Sequence, residues 1–203
     1  IYMPELPEVE TVIRGIRSRI LSQTINKCEL SSKKLRYPKT RNFKKIILST
    51  KVISISRRAK YILINLNNNK TIIIHLGMSG RIILSSNNEK LRFKHTHMTI
   101  YFTNNLIAKF IDPRRFGCIL LFNTNEIINN KLFNHLGPEP LGRQFNPNYL
   151  QRSCKNKKAT IKSIIMNQSI VVGVGNIYAS ESLFLSGINP QKKAANINFE
   201  QCL

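Results

Sequence analysis

The chain has 203 residues, enough for one large domain or two small ones. A hydrophobic content of 42% supports a packed core and argues against a wholly disordered chain. No apolar run is long enough to cross a bilayer and no signal-peptide pattern is visible, so we expect a soluble, cytoplasmic protein. The formal net charge of +22 predicts a polyanionic partner, nucleic acid before anionic membrane, although AT-biased coding would also enrich lysine.

The first predicted element is an amphipathic helix over residues 6–20. Its apolar residues recur at spacings of three and four, which gives one apolar face; they are Val9, Val12, Ile13, Ile16 and Ile20. From about 44 to 123 the pattern changes to short β-branched runs separated by polar turns, which is typical of a β-sandwich. The predicted strands cover residues 46–48, 52–55, 61–66, 71–76, 81–84, 97–102, 106–111 and 118–122.

The Gly-Pro-Glu-Pro segment at 137–140 marks a break, and the pattern beyond it is helical. We predict helices at 146–153, 157–166 and 176–186, the last capped by Gly187, and the start of another near Asn198. The predicted fold class is therefore α+β. It has a helix-flanked β-sandwich domain over residues 1–138 and a helical domain over residues 139–203. The four cysteines are scattered without a Cys-x-x-Cys pair, so no metal site is predicted.

Five short motifs occur in order along the chain. They are Met-Pro-Glu-Leu-Pro-Glu-Val-Glu-Thr at 3–11, Arg-Arg-Ala-Lys-Tyr at 57–61, His-Leu-Gly-Met-Ser-Gly at 75–80, Asp-Pro-Arg-Arg-Phe-Gly at 112–117 and Val-Val-Gly-Val-Gly-Asn-Ile-Tyr-Ala-Ser-Glu at 171–181. In order and approximate spacing they resemble the motifs of formamidopyrimidine-DNA glycosylases, bacterial enzymes that remove oxidised purines. Leu6 favours this branch over the related endonuclease VIII type, which usually has Gly at that position. The resemblance implies a β-sandwich followed by a helix–two-turn–helix domain.

The resemblance implies that Pro4 is a nucleophile through its ring nitrogen. A free prolyl nitrogen is a secondary amine that can form an iminium with the deoxyribose C1′, whereas an acylated nitrogen is an unreactive amide. Because residues 1–3 precede Pro4, we expect translation to start at Met3 and an aminopeptidase to expose the proline. Glu5 is implied as the acid that protonates the leaving base or the sugar oxygen, and Lys60 as the residue that assists β-elimination. Without the motifs, Pro4 and Glu5 would simply begin a helix and Lys60 would be a solvated lysine.

The same resemblance implies two sets of DNA contacts. Met78, Arg114 and Phe116 match the residues that fill the space left by an extruded base. The implied phosphate contacts are His95, Arg115, Lys157, Lys162 and Asn176, the last as the cap of a helix whose N–H groups can bind a phosphate. On residue type alone, Met78 and Phe116 would more often lie in a core, and the lysines at 155–162 would more often form a solvated charge run.

The zinc finger of the family, with its four cysteines and an arginine, has no counterpart in this sequence. We therefore expect no cofactor and a truncated helical domain with exposed apolar residues such as Leu183 and Phe184, and we leave δ-elimination open. The predicted function is excision of oxidised purines from damaged double-stranded DNA by a monomer associated with the nucleoid. Two alternatives stay open: a degenerate, non-catalytic DNA-binding relative or product of a decaying gene, and a general basic nucleic-acid-binding module.

Overall fold

The computed structural model describes residues 4–86 and 92–203. The chain forms two compact units, Ile1–Ile128 and Asn129–Leu203. Over the described residues the first unit is mixed α+β and the second is helical, as the sequence pattern predicts. In the same residues, no helix combines the length and the apolar character needed to cross a membrane.

The predicted domain boundary at 138 lies inside the second unit. The Gly137 N–H donates to the Gln168 carbonyl oxygen at 2.8 Å. A Cβ added at Gly137 would lie 2.7 Å from the Ile170 carbonyl carbon, so the backbone there packs directly on this unit. The Gly-Pro turn therefore interrupts the secondary structure without marking the edge of a compact unit.

The first unit is a two-sheet sandwich flanked by helices. It begins with helix α1 (Leu6–Ile20), strand β1 (Ile25–Leu30) and helix α2 (Phe43–Ile47). The strands that follow are β2 (Val52–Arg58), β3 (Tyr61–Leu66), β4 (Lys70–His75), β5 (Arg81–Ser86), β6 (Thr96–Phe102), β7 (Leu106–Ile111) and β8 (Cys118–Asn123). One antiparallel sheet has the order β1-β6-β7-β5, and the other has the order β2-β3-β4-β8.

The core of the sandwich is formed by alternate strand residues and by the apolar face of α1. Ile62 and Ile64 of β3 are almost fully buried, and Ile13 of α1 joins the same cluster. The side chain of Arg17 donates two hydrogen bonds, 3.1 and 2.8 Å long, to the carbonyl oxygen of Ile55 in β2. The predicted first helix is thus present over the predicted range, and it is held against the β2–β3 hairpin.

Two predictions in the first unit are wrong. Residues 46–48, predicted as a strand, belong largely to helix α2. Phe43 and Ile47 are one helical turn apart and both are buried, which a three-residue apolar run does not reveal. Strand β1 lies in a segment for which no strand is predicted. The pairing of β1 shifts register between Ile25 and Lys27, and this interrupts the alternation by which a strand is recognised.

The second unit contains helices α3 (Pro147–Cys154), α4 (Ile161–Ile165) and α5 (Asn176–Leu185). Thr160 caps α4 by accepting a hydrogen bond from the Ser163 N–H, so the helix predicted at 157–166 begins later than expected. The predicted helix start near Asn198 is only a 3₁₀ turn at Glu200–Cys202. The second unit therefore consists of short helices that are separated by long loops.

Helix α5 ends at Leu185, and the predicted capping glycine, Gly187, follows the C-cap residue Ser186. Gly187 has φ +61°, and the N–H groups of Gly187 and Ile188 donate to the carbonyl oxygens of Phe184 at 3.0 Å and Leu183 at 2.8 Å, the pattern of a Schellman motif. Phe184 is 81% exposed, but Leu183 is only 4% exposed and packs in the core of this unit. The expectation of an exposed apolar pair is therefore wrong for Leu183.

Candidate active site

Pro4 and Glu5 lie at the N-terminus of α1. Glu5 precedes the first helical residue and forms a reciprocal capping box with Glu8. The Glu5 N–H donates to Glu8 Oε2 at 3.0 Å, and the Glu8 backbone N–H donates to the Glu5 carboxylate. Glu5 is fully buried and Pro4 is half-buried. The capping box thus fixes the orientation of a buried carboxylate beside Pro4. The expectation about Met3 falls on residues 1–3, which lie outside the described residues.

Lys60 lies in the tight turn between β2 and β3. The residue before it, Ala59, is buried and has φ +52°, so the turn passes through the left-handed region. Burial lowers the pKa of the Lys60 ammonium below its ordinary value, and the charges of Glu5 and Glu8 act in the opposite direction. Lys60 is therefore coupled electrostatically to the start of α1. The lowered pKa increases the neutral fraction of the amine, which can accept a proton.

The structure adds His75, to which the sequence analysis assigns no role. His75 ends β4, and its Nδ1 accepts a hydrogen bond from the Gly77 N–H at 2.9 Å. Burial and the positive charges of Arg36 and Lys60 lower the pKa of His75 to about 4, so the imidazole is neutral near pH 7. His75 is the first residue of the motif at 75–80, which was the available signal. A single histidine at a strand end gave no further reason to choose it.

Two loops of the first unit, residues 76–80 and 112–117, touch through their glycines. A Cβ added at Gly77 would lie 2.5 Å from the Gly117 nitrogen, and Gly77 has φ +64°. Both the conformation and the close approach therefore require glycine at this position. The contact brings the loop with Met78 against the loop with Arg114 and Phe116.

Asp112 fixes the two loops to each other. Its carboxylate is fully buried. Oδ1 accepts a hydrogen bond from Ser79 Oγ at 2.6 Å, and Oδ2 accepts one from the Gly117 N–H at 2.8 Å. Ser79 Oγ in turn accepts a hydrogen bond from the Arg114 N–H at 3.1 Å. One buried carboxylate thus holds the backbone from which residues 113–116 extend into solvent.

The three residues predicted to intercalate lie on these contacting loops. Phe116 is 47% exposed, and the guanidinium carbon of Arg114 lies 5.0 Å from its ring centroid. Met78 is partly exposed on the other loop. Exposed apolar side chains on a rigid backbone are suited to entering a DNA base stack.

His95 and Arg115 are exposed and have φ values of +63° and +60°. The His95 carbonyl oxygen accepts a hydrogen bond from the Asp112 N–H at 3.0 Å, so His95 adjoins the same loop. By contrast, His97 is fully buried and contacts Ser31 Oγ at 3.2 Å and the Asp112 carbonyl oxygen at 2.9 Å. One histidine of this motif faces solvent, and the other belongs to the core.

In the second unit, two glycines form the loop that leads into α5. The side chain of Gln168 holds this loop: Oε1 accepts a hydrogen bond from the Gly173 N–H at 2.8 Å, and Nε2 donates to the Val174 carbonyl oxygen at 2.9 Å. Gly175 is the N-cap residue of α5. Asn176, predicted as the cap, is instead the first helical residue, and it is exposed.

The two predicted lysine contacts of the second unit differ in their surroundings. Lys157 is exposed in the loop between α3 and α4. Lys162 is partly buried, and its Nζ donates to Ser180 Oγ at 2.9 Å. The Ser180 hydroxyl also donates to the Asn176 carbonyl oxygen at 2.8 Å, which places the Lys162 ammonium near the first turn of α5.

Two family models match the chain: the formamidopyrimidine-DNA glycosylase N-terminal domain over residues 3–119 and the formamidopyrimidine-DNA glycosylase H2TH domain over residues 136–203. The chain belongs to the formamidopyrimidine-DNA glycosylase family. A glycosylase of this name from Rickettsia bellii is 44% identical over 199 residues, which cover 98% of this chain and 72% of that protein. One from Wolbachia pipientis subsp. Culex pipiens is 42% identical over 200 residues, which cover 98% of this chain and 73% of that protein.

Solved structures of the Lactococcus lactis formamidopyrimidine-DNA glycosylase share this fold. Its complex with Fapy-dG-containing DNA matches with a TM-score of 0.89 and 31% identity, covering 98% of this chain and 74% of that one. Its complex with DNA containing an AP site matches with a TM-score of 0.87 and 31% identity, covering 98% and 75%. These matches confirm the predicted family and the predicted sandwich followed by a helix–two-turn–helix domain.

The cysteines present do not fit the zinc site of the glycosylase family. Cys28 and Cys118 are buried in the first unit, Cys154 is buried in the second, and all four cysteines are free thiols. Within residues 4–86 and 92–203, no three His, Cys, Asp or Glu side chains form a group that could hold a metal ion.

Proposed function

We propose that this member of the formamidopyrimidine-DNA glycosylase family excises oxidised purines from double-stranded DNA and then cleaves the strand at the abasic site. The observation that carries the proposal is the buried Glu5 at the start of α1, beside Pro4 and electrostatically coupled to Lys60. Lactococcus lactis structures of this fold contain Fapy-dG and AP-site DNA. The formal charge of +22 favours a DNA substrate. We expect one copy of the chain to act on nucleoid DNA.

The first chemical step is proposed to begin at the Pro4 nitrogen, provided that it is the free N-terminus. Its lone pair forms a bond to C1′ of the damaged nucleotide as the bond between C1′ and the base breaks. Glu5, when protonated, supplies a proton to the leaving base or to the sugar ring oxygen. The Pro4 nitrogen then loses its proton to the Glu5 carboxylate, which passes it to O4′ as the C1′–O4′ bond opens, and the nitrogen lone pair forms the iminium between the proline and the open sugar.

Strand cleavage follows from this iminium. Removal of a proton from C2′ sends its electron pair into a new C2′–C3′ double bond, and the 3′ phosphate leaves as C3′–O breaks. Lys60 is suited to assist, because burial lowers the pKa of its ammonium and makes a neutral amine more available to take that proton. Water then releases the product by hydrolysis of the iminium and restores the Pro4 amine.

The remaining predicted residues are proposed to hold the DNA. Met78, Arg114 and Phe116 would fill the space left by the extruded nucleotide, because they lie on loops fixed by Asp112. The proposed phosphate contacts, all in exposed or partly exposed positions, are His95, Arg115, Lys157, Lys162 and Asn176. Phosphate contacts position the duplex without reading its sequence, which suits an enzyme that must search undamaged DNA.

Reductive trapping tests the proposal. The chain is expressed from Met3, and intact-mass measurement establishes whether Pro4 is exposed. We then expect sodium borohydride to capture a covalent adduct with a duplex that contains 8-oxoguanine. The adduct is expected to disappear in Pro4→Gly and in protein that retains the methionine. Lys60→Ala is expected to keep the adduct but to slow strand cleavage.

The same experiment separates the alternatives. Lesion binding without an adduct, in protein whose Pro4 is shown to be exposed, would support a non-catalytic DNA-binding relative. Equal binding to damaged and undamaged duplexes without an adduct would support a general basic DNA-binding module. Either result would contradict the proposed enzyme.

A further inference from the structure

One guanidinium connects the helix that carries Pro4 and Glu5 to the turn that carries Lys60. Arg57, near the end of β2, lies with its Nε 3.1 Å from Oε2 of Glu10 in α1. Its Nη1 donates a second hydrogen bond, 3.0 Å long, to the carbonyl oxygen of Ala59. A single side chain thus contacts both the helix and the residue immediately before Lys60.

This ion pair is more sheltered than its neighbour on the same carboxylate. The side chains of Arg57 and Glu10 are 16% and 29% exposed. Arg14 pairs with the other oxygen of Glu10 at 3.4 Å, but its side chain is 76% exposed. Exposed ion pairs are screened and contribute little, whereas a planar guanidinium with two partly buried acceptors is held in one geometry. Arg14 is therefore a solvent-exposed partner of Glu10, whereas Arg57 is a partly buried partner in a fixed geometry.

The turn needs such a restraint because Ala59 has φ +52°. For an L-residue this conformation is unfavourable, and it persists where surrounding contacts enforce it. Ala59 is 2% exposed, so its position is also fixed by packing. The hydrogen bond from Arg57 to the Ala59 carbonyl acts on the peptide that leads directly into Lys60. Movement of that peptide would move the lysine.

We propose that Glu10 and Arg57 are positioning residues that hold the Lys60 amine in place relative to Glu5 and the Pro4 nitrogen. The role of the pair in the reaction rests on the proposed function. Burial is the main cause of the lowered pKa of Lys60, and the opposing charges are those of Glu5 and Glu8. The proposal for the pair rests instead on geometry, because the two hydrogen bonds of Arg57 join α1 to the peptide that precedes Lys60.

The kinetic test compares Arg57→Ala with the matched control Arg14→Ala, because both remove an arginine from the same carboxylate. With saturating abasic duplex, we expect Arg57→Ala to slow single-turnover strand cleavage roughly 10- to 100-fold, the effect typical of a misplaced reacting group. Arg14→Ala is expected to stay within about twofold of the wild type, as is usual for an exposed pair. Glu10→Gln keeps an oxygen that can accept from Arg57 and should retain most of the activity that Glu10→Ala loses.

A second measurement needs no DNA. The rate at which an amine-reactive reagent modifies Lys60 is followed against pH by peptide mass spectrometry in the full chain. Arg57→Ala should let the turn relax and solvate the amine, which moves the apparent pKa of Lys60 upward towards its ordinary value. Arg14→Ala should leave the profile of Lys60 unchanged, and Glu10→Gln should restore the profile that Glu10→Ala disturbs.

The outcomes separate the two proposals. If Arg57→Ala and Arg14→Ala give the same Lys60 profile, the positioning inference is wrong, whatever the wild type does to DNA. If the wild-type chain with exposed Pro4 forms no adduct while the Lys60 profile responds to Arg57 alone, the proposed function is wrong and the coupling between Arg57 and Lys60 holds. If strand cleavage falls equally in both arginine variants, the effect belongs to lost positive charge and the inference is overturned.

Discussion

Replacement of Asp112 tests how the two exposed loops of the first unit are held. The Asp112→Ala variant removes the acceptor of the Ser79 hydroxyl at 2.6 Å and of the Gly117 N–H at 2.8 Å. A hydrogen bond to a charged group contributes about 1.5–3 kcal/mol, so the loss of two predicts a destabilisation of about 3–6 kcal/mol. A typical domain has a stability of about 5–15 kcal/mol, and the variant should therefore unfold far more easily.

Two matched variants separate the contributions of the two hydrogen bonds to this destabilisation. Asp112→Asn keeps one acceptor oxygen for Gly117 and offers an N–H to Ser79, whose hydroxyl can accept it. Asp112→Asn should therefore lower the free energy of unfolding by less than half as much as Asp112→Ala. Ser79→Ala removes one of the two bonds and should also cost less than Asp112→Ala. All three variants keep the exposed side chains of Arg114 and Phe116.

Hydrogen exchange at the Gly117 amide is the suitable assay, because two compact units need not unfold together. Exchange at this amide reports opening of the loop, and urea unfolding of the full chain gives the accompanying free energy. If Asp112→Ala lowers the free energy of unfolding by less than about 1 kcal/mol, Asp112 does not hold the two loops together. The same conclusion follows if Asp112→Asn lowers the free energy of unfolding as much as Asp112→Ala does.

Three further predictions concern glycine, histidine and lysine positions. Gly77→Ala should destabilise the protein in urea unfolding, because its Cβ would lie 2.5 Å from the Gly117 nitrogen, whereas Gly15→Ala meets nothing within 4 Å on α1 and should stabilise it by about 1 kcal/mol. His75 has a pKa of about 4, below its ordinary value of 6.5, so the unfolded chain binds more protons between these values and stability should fall as pH falls through that range. His75→Asn keeps an acceptor for the Gly77 N–H and should reduce this slope. Lys157→Ala should weaken DNA binding and reduce the slope of log K against log salt by about 0.9.

Each of these has a contradicting outcome. Equal stability of Gly77→Ala and Gly15→Ala would show that the loops at 76–80 and 112–117 can move apart without loss of stability. An unchanged pH dependence in His75→Asn would assign the slope to other groups, of which buried His97 is the first to examine because burial also lowers its pKa. An unchanged salt dependence in Lys157→Ala would remove this lysine from the phosphate contacts.

Elements with a clear local period could be predicted from the sequence. The apolar spacing of α1 and the alternation in β3 both match the burial seen in the structure, because each pattern arises from one face of a single element that packs on one core. Where packing breaks the period, prediction failed. A register shift hides β1, and the short helix α2 contains a run that has the composition of a strand.

The sequence determined, through its motifs, which residues to consider, and the family resemblance of those motifs predicts a proline nucleophile, an adjacent acid and a lysine. It could not show that Glu5 is fully buried, that His97 is in the core while His95 faces solvent, or that Asn176 follows its cap instead of forming it. Only tertiary folding joins Ser79 to Asp112, 33 residues away, and Glu10 to Arg57, 47 residues away. Such pairs carry no periodic signal, because the distance between them is set by how strands and helix pack and not by the backbone between them.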